Sequence, residues 1–256
     1  MSGAGTEREQ SSASDLSDRQ WQDQVIRYLA DARLRQSDSR VAQITHEEAA
    51  KAGKFARFLA RRYYRDRLHR SFRYSLLTAP QLPAAQVVDS LEFDAFLDDC
   101  ALGSLESAIK VRQLALEHLS KIEAAGPWWR AVLAYEGAFF LQAATSEHSG
   151  RTKLPRRGHS AVCLDFAWAI PQVLDHLKRG AAVDDSLLRP MTLIFSRTAE
   201  GRIYVVEVDT ATAAVFKALE QEIDVGSTAG VPPGVAREAL IALAGIGAAV
   251  IDPAMR

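Results

Sequence analysis

The chain has 256 residues, of which 48% are hydrophobic and 25% are charged, and its formal net charge is −1 at pH 7. This composition is typical of globular proteins and excludes a chain that is disordered throughout. No run approaches the roughly 20 apolar residues of a membrane-spanning helix, and the polar first residues lack the apolar core of a signal peptide. We therefore expect a cytoplasmic protein.

The first half of the chain has the periodicity of helices. Residues 1–19 are polar and lack apolar periodicity, which predicts a disordered tail. A helical domain is expected over residues 20–150, because five segments there repeat apolar residues at helical spacing. These segments begin at Trp21, Thr45, Asp89, Leu105 and Pro127. Thr45 and Ser104 are predicted to be N-caps.

The second half changes in character after residue 150. Residues 151–189 are predicted to be a connector that opens with a polar stretch containing Pro and Gly, and includes a β-leaning run, AVCLDFAW, and a short helix ended by Gly180. Beyond it, MTLIFSR and RIYVVEVD flank the loop TAEG, which predicts a β-hairpin. Two helical segments and a short closing strand follow. The predicted fold class is α+β, with a helical N-terminal domain and a smaller winged-helix-like domain over residues 190–256.

The second helical segment is strongly basic. Nine Lys or Arg and a single acid, Asp66, lie between Lys51 and Arg73, so a local charge of +8 is balanced by −9 in the rest of the chain. Two apolar rows are expected to face a core: Tyr64, Leu68, Phe72 and Leu76 in one, and Phe55, Phe58, Leu59 and Tyr63 in the other.

Three interpretations of this basic helix remain open. It is a packed amphipathic helix whose basic face is solvated, a nucleic-acid-binding helix, or a surface for an acidic protein or peptide. The near-neutral sequence pI of 6.6 argues against a dedicated nucleic-acid-binding protein.

Signatures of common enzyme classes are missing from the sequence. It contains no GxSxG, no Walker motif, no GxGxxG after a strand and no HExxH. The six histidines occur singly, apart from His69 three residues after Asp66, for which a surface contact is the simpler interpretation. The cysteines, Cys100 and Cys163, belong to no CxxC motif, which favours reduced, buried thiols. We predict no catalytic and no metal-binding residue in this chain, and an unrecognised enzyme remains an alternative.

The stretch FARFLARRYYRDRLHRSFRYSLLTAPQL, followed by EFDAFLDDCAL, resembles a known family. It is similar to the helical part of partner proteins of multinuclear non-haem iron-dependent oxidative enzymes, such as the C protein of methanobactin biosynthesis and the partner protein of 3-thiaglutamate biosynthesis. The resemblance implies a chain with no cofactor of its own that forms a heterodimer with an iron enzyme. That enzyme, which holds the iron, would oxidatively modify a cysteine in a ribosomally made precursor peptide.

The resemblance further implies that the C-terminal domain recognises the precursor by binding its leader along a strand edge. The implied peptide-binding residues are Ile203, Tyr204, Val205, Val206, Glu207 and Val208 on the strand, with Phe216 and Leu219 lining a groove. The residues alone leave another interpretation open, in which the strand is interior and Val205, Phe216 and Leu219 are core side chains.

The predicted function is that of a non-catalytic subunit that binds a precursor peptide and presents its cysteine to the iron enzyme. Arg61, Arg65 and Arg73 on the basic helix are the residues predicted to contact that enzyme. No membrane partner is expected. The alternative is a DNA-binding transcriptional regulator, which would use the winged-helix outline and the basic helix to bind a duplex.

Overall fold

A computed structural model describes residues 30–32, 46–122, 126–146, 155–221 and 230–252. The helices are α1 (His46–Ser71), α2 (Arg73–Thr78), α3 (Leu91–Phe96), α4 (Leu105–Leu119), α5 (Trp129–Ala144), α6 (Ile170–Arg179), α7 (Thr210–Glu220) and α8 (Pro233–Gly245), with 3-10 turns at Ala84–Asp89 and Asp185–Leu187. The strands are β1 (Arg156–Arg157), β2 (Val162–Trp168), β3 (Leu188–Arg197), β4 (Ile203–Val208) and β5 (Ala249–Val250).

Helices accompany two small antiparallel sheets, so the predicted α+β class is confirmed. None of the described helices is long and apolar enough to cross a membrane. The predicted tail and the predicted cap Thr45 lie outside the described residues, as does most of the helical segment that begins at Trp21.

The chain divides into two compact units. One comprises residues 1–63 and 89–102, and the other comprises residues 64–88 and 103–256. The second unit includes α4 and α5 as well as both sheets, so the compact units do not follow the predicted boundaries near residues 150 and 190.

In the first unit, the basic helix buries small residues and exposes large ones. Ala56 and Ala60 are 2% and 4% exposed, whereas Phe55 and Phe58 are 51% and 56% exposed. The expectation that Phe55 and Phe58 face a core is therefore wrong, because the buried row continues through the alanines one turn apart. Helix α3 begins at the predicted segment, where the Ser90 side chain accepts a hydrogen bond from the backbone N–H of Phe93 (3.1 Å).

In the second unit, the other predicted row of the basic helix is largely correct. Tyr64, Leu68 and Phe72 are fully buried, and the rings of Tyr64 and Phe72 lie 6.4 and 6.2 Å from the ring of Phe140 on α5. Leu76, the fourth predicted member, is 37% exposed because the helix breaks before it reaches that position.

The break falls at Phe72, whose backbone leaves the helical region (φ −96°, ψ 57°). A short new helix, α2, begins at the next residue. Its first backbone N–H groups have no partner within the helix, and a carboxylate from α5 accepts hydrogen bonds from them. The side chain of Glu136, which is 0% exposed, accepts hydrogen bonds from the backbone N–H of Tyr74 (2.5 Å) and of Ser75 (3.2 Å). Unsatisfied N–H groups at a helix start favour such a partner.

The larger sheet has the strand order β2-β3-β4, with all pairs antiparallel. The predicted hairpin is confirmed, because β3 and β4 are joined by a short loop in which Gly201 has a φ of 85°. The predicted helix stop at Gly180 (φ 64°) is also confirmed. Helix α7 is capped by Asp209, whose side chain accepts a hydrogen bond from the backbone N–H of Thr212 (2.7 Å).

Alternate side chains of this sheet point to opposite faces. On one face, Leu193, Phe195 and Val205 pack with α5 and α6, and the Phe195 ring lies 5.3 Å from the ring of Tyr135. On the other face, Ile194 packs with residues of α7 and α8. Complete burial of a side chain such as Phe195 stabilises the fold by roughly 1.5–3 kcal/mol, so helices on both faces fix the sheet.

The second sheet pairs β1 with β5, and it requires glycine just after β1 and just before β5. Arg156 lies opposite Val250, and Arg157 lies opposite Ala249. A Cβ at Gly158 would lie 2.2 Å from the carbonyl oxygen of Gly247, and Gly247 itself has a φ of 76°. Helix α8 ends at Gly245, in the sequence GIGAA, and the left-handed backbone of Gly247 that follows favours glycine.

Candidate functional site

Strand β4 is the candidate site for binding an extended peptide, and its residue types favour a strand. Five of its six residues are β-branched or aromatic, types that suit a pleated surface. The hairpin loop holds its start in place, since the N–H of Thr198 donates to the carbonyl of Arg202 (2.9 Å) and that of Gly201 donates to the carbonyl of Thr198 (2.9 Å).

The position of β4 leaves one of its edges open. Strand β3 is central, so β4 pairs with it on one side, and no described strand pairs with β4 on the other side. In the described part of the chain, β4 is thus an edge strand with a row of backbone groups directed outwards.

The hairpin register identifies those groups. The hydrogen bond between Thr198 and Arg202 defines a bonded pair, and bonded and non-bonded pairs alternate along an antiparallel ladder. Tyr204, Val206 and Val208 therefore bond to β3 through their backbones. The N–H and C=O groups of Ile203, Val205 and Glu207 point away from β3, towards the open edge.

The side chains around this edge are mostly apolar and half-buried. Glu207 is the only charged residue of β4, and its carboxylate accepts two hydrogen bonds from Arg189 on β3, at 2.9 and 3.2 Å. These hydrogen bonds lower the pKa of Glu207, so it is ionised at neutral pH. The edge has no proline and no lysine, the residues that commonly prevent such an edge from pairing with another chain.

Phe216 and Leu219, the residues expected to line a groove, are core side chains. They are 0% and 5% exposed and pack with α8 beneath the sheet. Helix α7 packs against β2 at the opposite edge of the sheet, where Lys217 pairs with Asp165 (3.2 Å). Of the two interpretations that the residues left open, the core one holds for these two side chains.

The three arginines expected at the partner interface differ in their surroundings. Arg61, in the first unit, pairs with Asp94 on α3, and its neighbour Arg57 binds Asp94 and Asp98. In the second unit, Arg65 is half-buried, and Arg73 is exposed with its guanidinium 5.6 Å from the centre of the Tyr74 ring. Arg61 thus has an acidic partner within its own unit.

Two buried or half-buried charged residues were missed by the sequence reasoning. Glu136 is the only acid in the apolar helix α5, and such isolation in an apolar run was a signal that it has a buried partner. Burial raises its pKa to about 7. The other residue is Arg197 at the end of β3, whose partners are carbonyl groups 52 and 55 positions away, so no local pattern could identify it.

The thiol of Cys163, on β2, is not set up as a reactive nucleophile. Burial raises the pKa of the half-buried Cys163 to about 11, so its thiol is protonated at neutral pH and poorly nucleophilic. Among the described residues there is also no group of three or more His, Cys, Asp or Glu side chains that could hold a metal ion. The binding capacity of the candidate site lies in the outward backbone N–H and C=O groups of β4, which can pair with another strand.

Comparison with known proteins adds no relative. No protein-family model matches the chain, and no curated protein matches it.

Proposed function

We propose that this chain is a non-catalytic partner subunit that binds a ribosomal precursor peptide and presents its cysteine to an iron-dependent oxidative enzyme. The observation that carries the proposal is the open edge of β4, where the backbone groups of Ile203, Val205 and Glu207 point outwards. An extended peptide pairs with such an edge as a fourth strand, with main-chain hydrogen bonds supplying affinity.

Specificity would come from side chains beside the edge. Because Phe216 and Leu219 are buried, the peptide's side chains would contact Tyr204 and Val206 on one face of the sheet and Ile203 and Val205 on the other. Alternate residues of an added strand point to opposite faces, so alternate peptide positions would be read by different surfaces. The order hairpin, α7, α8 supports a winged-helix-like description of residues 190–256.

The iron would belong to the partner enzyme, and this chain would supply recognition and a binding surface. Arg73 is the favoured contact for the enzyme, because it is exposed, whereas Arg61 is paired with Asp94. We place the complex in the cytoplasm, where a ribosomal peptide is made. The first test is the set of neighbouring genes, which should include an iron-dependent oxidative enzyme. Co-expression with that enzyme, followed by size-exclusion chromatography, is the bench test. The proposed subunit role predicts co-elution, and separate elution would contradict it.

The peptide test uses Glu207→Pro. Proline removes the N–H at position 207, which points outwards, and leaves the inward hydrogen bonds of Val206 and Val208 intact. Glu207→Thr is the matched control, because it loses the same charge but keeps the N–H. The probe is the fluorescently labelled leader of the Cys-bearing precursor that the proposal expects among the neighbouring genes, and binding is measured by anisotropy.

We expect Glu207→Pro to weaken binding by about tenfold or more and Glu207→Thr to change it by less than about threefold. Equal binding by the two variants would contradict strand addition at β4. Salt-dependent binding of duplex DNA with no binding of the leader would instead support the DNA-binding alternative.

A further inference from the structure

A cleft of about 630 Å³ lies at the hairpin end of the sheet, within the second unit. Four segments form its walls: the end of α5, residues 156–160, the loop between β3 and β4, and the turn between α8 and β5. Its volume is in the range of small-molecule binding sites. No residue of β4 lines this cleft.

Arg197 is held rigidly in the cleft wall. Its Nη1 donates to the carbonyl oxygens of Gln142 (3.3 Å) and Thr145 at the C-terminal end of α5. Both bonds use one nitrogen, so Nε and Nη2 make no hydrogen bond within the described part of the chain. A Cβ on Gly201 would lie 3.2 Å from Nη2, so a glycine at this position of the hairpin loop keeps the space beside the guanidinium open.

The charges of the cleft favour an anion. Arg156 and Arg197 line it together with one acid, Glu200. Interaction with the Thr198 side chain lowers the pKa of Glu200, so Glu200 is ionised at neutral pH. The guanidinium of Arg197, whose Nε and Nη2 make no hydrogen bond within the described part of the chain, is the group that attracts a negatively charged ligand. The carboxylate repels a dianion more strongly than a monoanion, which favours a singly charged group.

A buried hydroxyl in the wall points to a ligand independently of these charges. Thr145 is 3% exposed and lines the cleft, and its Oγ1 makes no hydrogen bond. Buried polar groups nearly always have a partner, supplied by protein, water or ligand. A carboxylate oxygen bound at Arg197 is a suitable acceptor for this hydroxyl, because Arg197 itself binds the carbonyl of Thr145.

The remaining wall is apolar. Ile241 and Ala244 on α8 and Ala249 and Val250 on β5 line the cleft opposite the polar groups. Ile241 is 38% exposed, so part of its side chain is available to a ligand. A ligand that satisfies both walls carries one anionic group and a short apolar chain.

We propose that this cleft binds a carboxylate attached to a short apolar chain. The carboxylate lies against Arg197, and the chain lies along Ile241 and Ala244. The carboxylate is that of a free small acid or of a peptide C-terminus, and both present the same chemistry to Arg197.

The test begins with the full chain and three probes: hexanoate, its neutral analogue hexanamide, and inorganic phosphate. Binding is followed by isothermal titration calorimetry and by amide chemical shifts. We expect hexanoate to bind saturably and at least about tenfold more tightly than hexanamide or phosphate. If hexanoate does not bind saturably, or if hexanamide binds equally well, the proposal is overturned.

Ile241→Glu tests the location without removing an arginine that the fold uses. It places a second carboxylate in the cleft and should weaken hexanoate binding by about tenfold or more. Val235→Glu is the matched control, since Val235 lies on the same helix, is 40% exposed and does not line the cleft. Equal effects of the two variants would overturn the assignment. Circular dichroism and thermal unfolding establish that both fold.

A further arm distinguishes the two sources of the carboxylate. A short apolar peptide with a free C-terminus is compared with the same peptide amidated and with hexanoate. Tighter binding of the free-acid peptide than of hexanoate supports a peptide terminus as the ligand, and the reverse order supports a small acid. Glu207→Pro should leave both affinities unchanged, so failure of the strand-edge proposal and failure of this one give different results.

Discussion

Helix α1 carries the densest charge in the chain, whereas β4 carries one charged side chain, Glu207. Several of the arginines of α1 have partners within their own unit: Arg61 binds Asp94 on α3, Arg57 binds Asp98 just after α3, and Arg67 donates to the carbonyl of Ala143. The edge of β4 has outward backbone groups that no described strand pairs. A conspicuous charge pattern can therefore serve the fold, while the backbone groups that no described strand pairs lie on an inconspicuous apolar strand.

The largest effect is expected from Phe216→Ala, which tests whether Phe216 is a core side chain or lines a peptide-binding groove. Phe216 is fully buried, so its loss should lower the free energy of unfolding by roughly 3–5 kcal/mol. Leu188→Ala, at a 51% exposed position on β3, is the control and should cost far less. Urea denaturation measures both. An unchanged stability with weakened peptide binding would restore Phe216 to the groove.

The next effect concerns the buried carboxylate of Glu136. Its pKa of about 7 lies above the ordinary value of 4.5, so the folded state holds the proton more tightly than the unfolded state. The contribution of protonated Glu136 to the free energy of unfolding is therefore complete below about pH 4.5. As the pH rises to about 7, this contribution is lost, and the free energy of unfolding falls by roughly 3 kcal/mol. Urea denaturation at several pH values measures this fall.

Glu136→Gln should flatten this part of the pH profile, because the amide does not titrate and its oxygen still accepts from Tyr74 and Ser75. The control is Glu117→Gln, an exposed position on α4, which should retain the wild-type profile. If Glu136→Gln keeps the same fall, another group is responsible for it.

The smallest effect is expected at Arg61. Its ion pair with Asp94 is partly exposed, and such pairs contribute up to about 1 kcal/mol. Arg61→Ala should therefore lower stability slightly, and less so at high salt. Arg62→Ala, one position away and exposed, is the comparison variant. A loss of enzyme binding by Arg61→Ala with unchanged stability would assign Arg61 to the partner interface after all.

Local signals predicted much of this fold. The hairpin, the cap at Ser104, which accepts from the N–H of Ser107 (3.1 Å), and the stop at Gly180 follow from turn and cap chemistry carried by neighbouring residues. The periodicity of α1 predicted helix, but two apolar rows competed for the core. The packing of distant residues, which local periodicity does not report, exposed Phe55 and Phe58 and buried the alanines.

The features that sequence reasoning missed depend on distant contacts. The helix break at Phe72 has no proline or glycine to announce it, and Glu136, 62 residues after Tyr74, binds the start of the new helix. The cleft around Arg197 likewise joins four segments that are far apart in the chain. Strand β4 was predictable because its own run of β-branched and aromatic residues favours a strand. The position of α7 against β2 depends on contacts between distant residues, which the sequence pattern does not report.

Hydrogen exchange of the β4 amides, measured by NMR with and without the precursor leader, tests strand addition most directly. We expect the N–H groups of Val205 and Glu207 to exchange rapidly in the chain alone and those of Val206 and Val208 to be protected. When the leader binds, the N–H groups of Val205 and Glu207 should become protected as well. Protection of Val205 and Glu207 before the leader is added, or no change when it binds, would contradict strand addition.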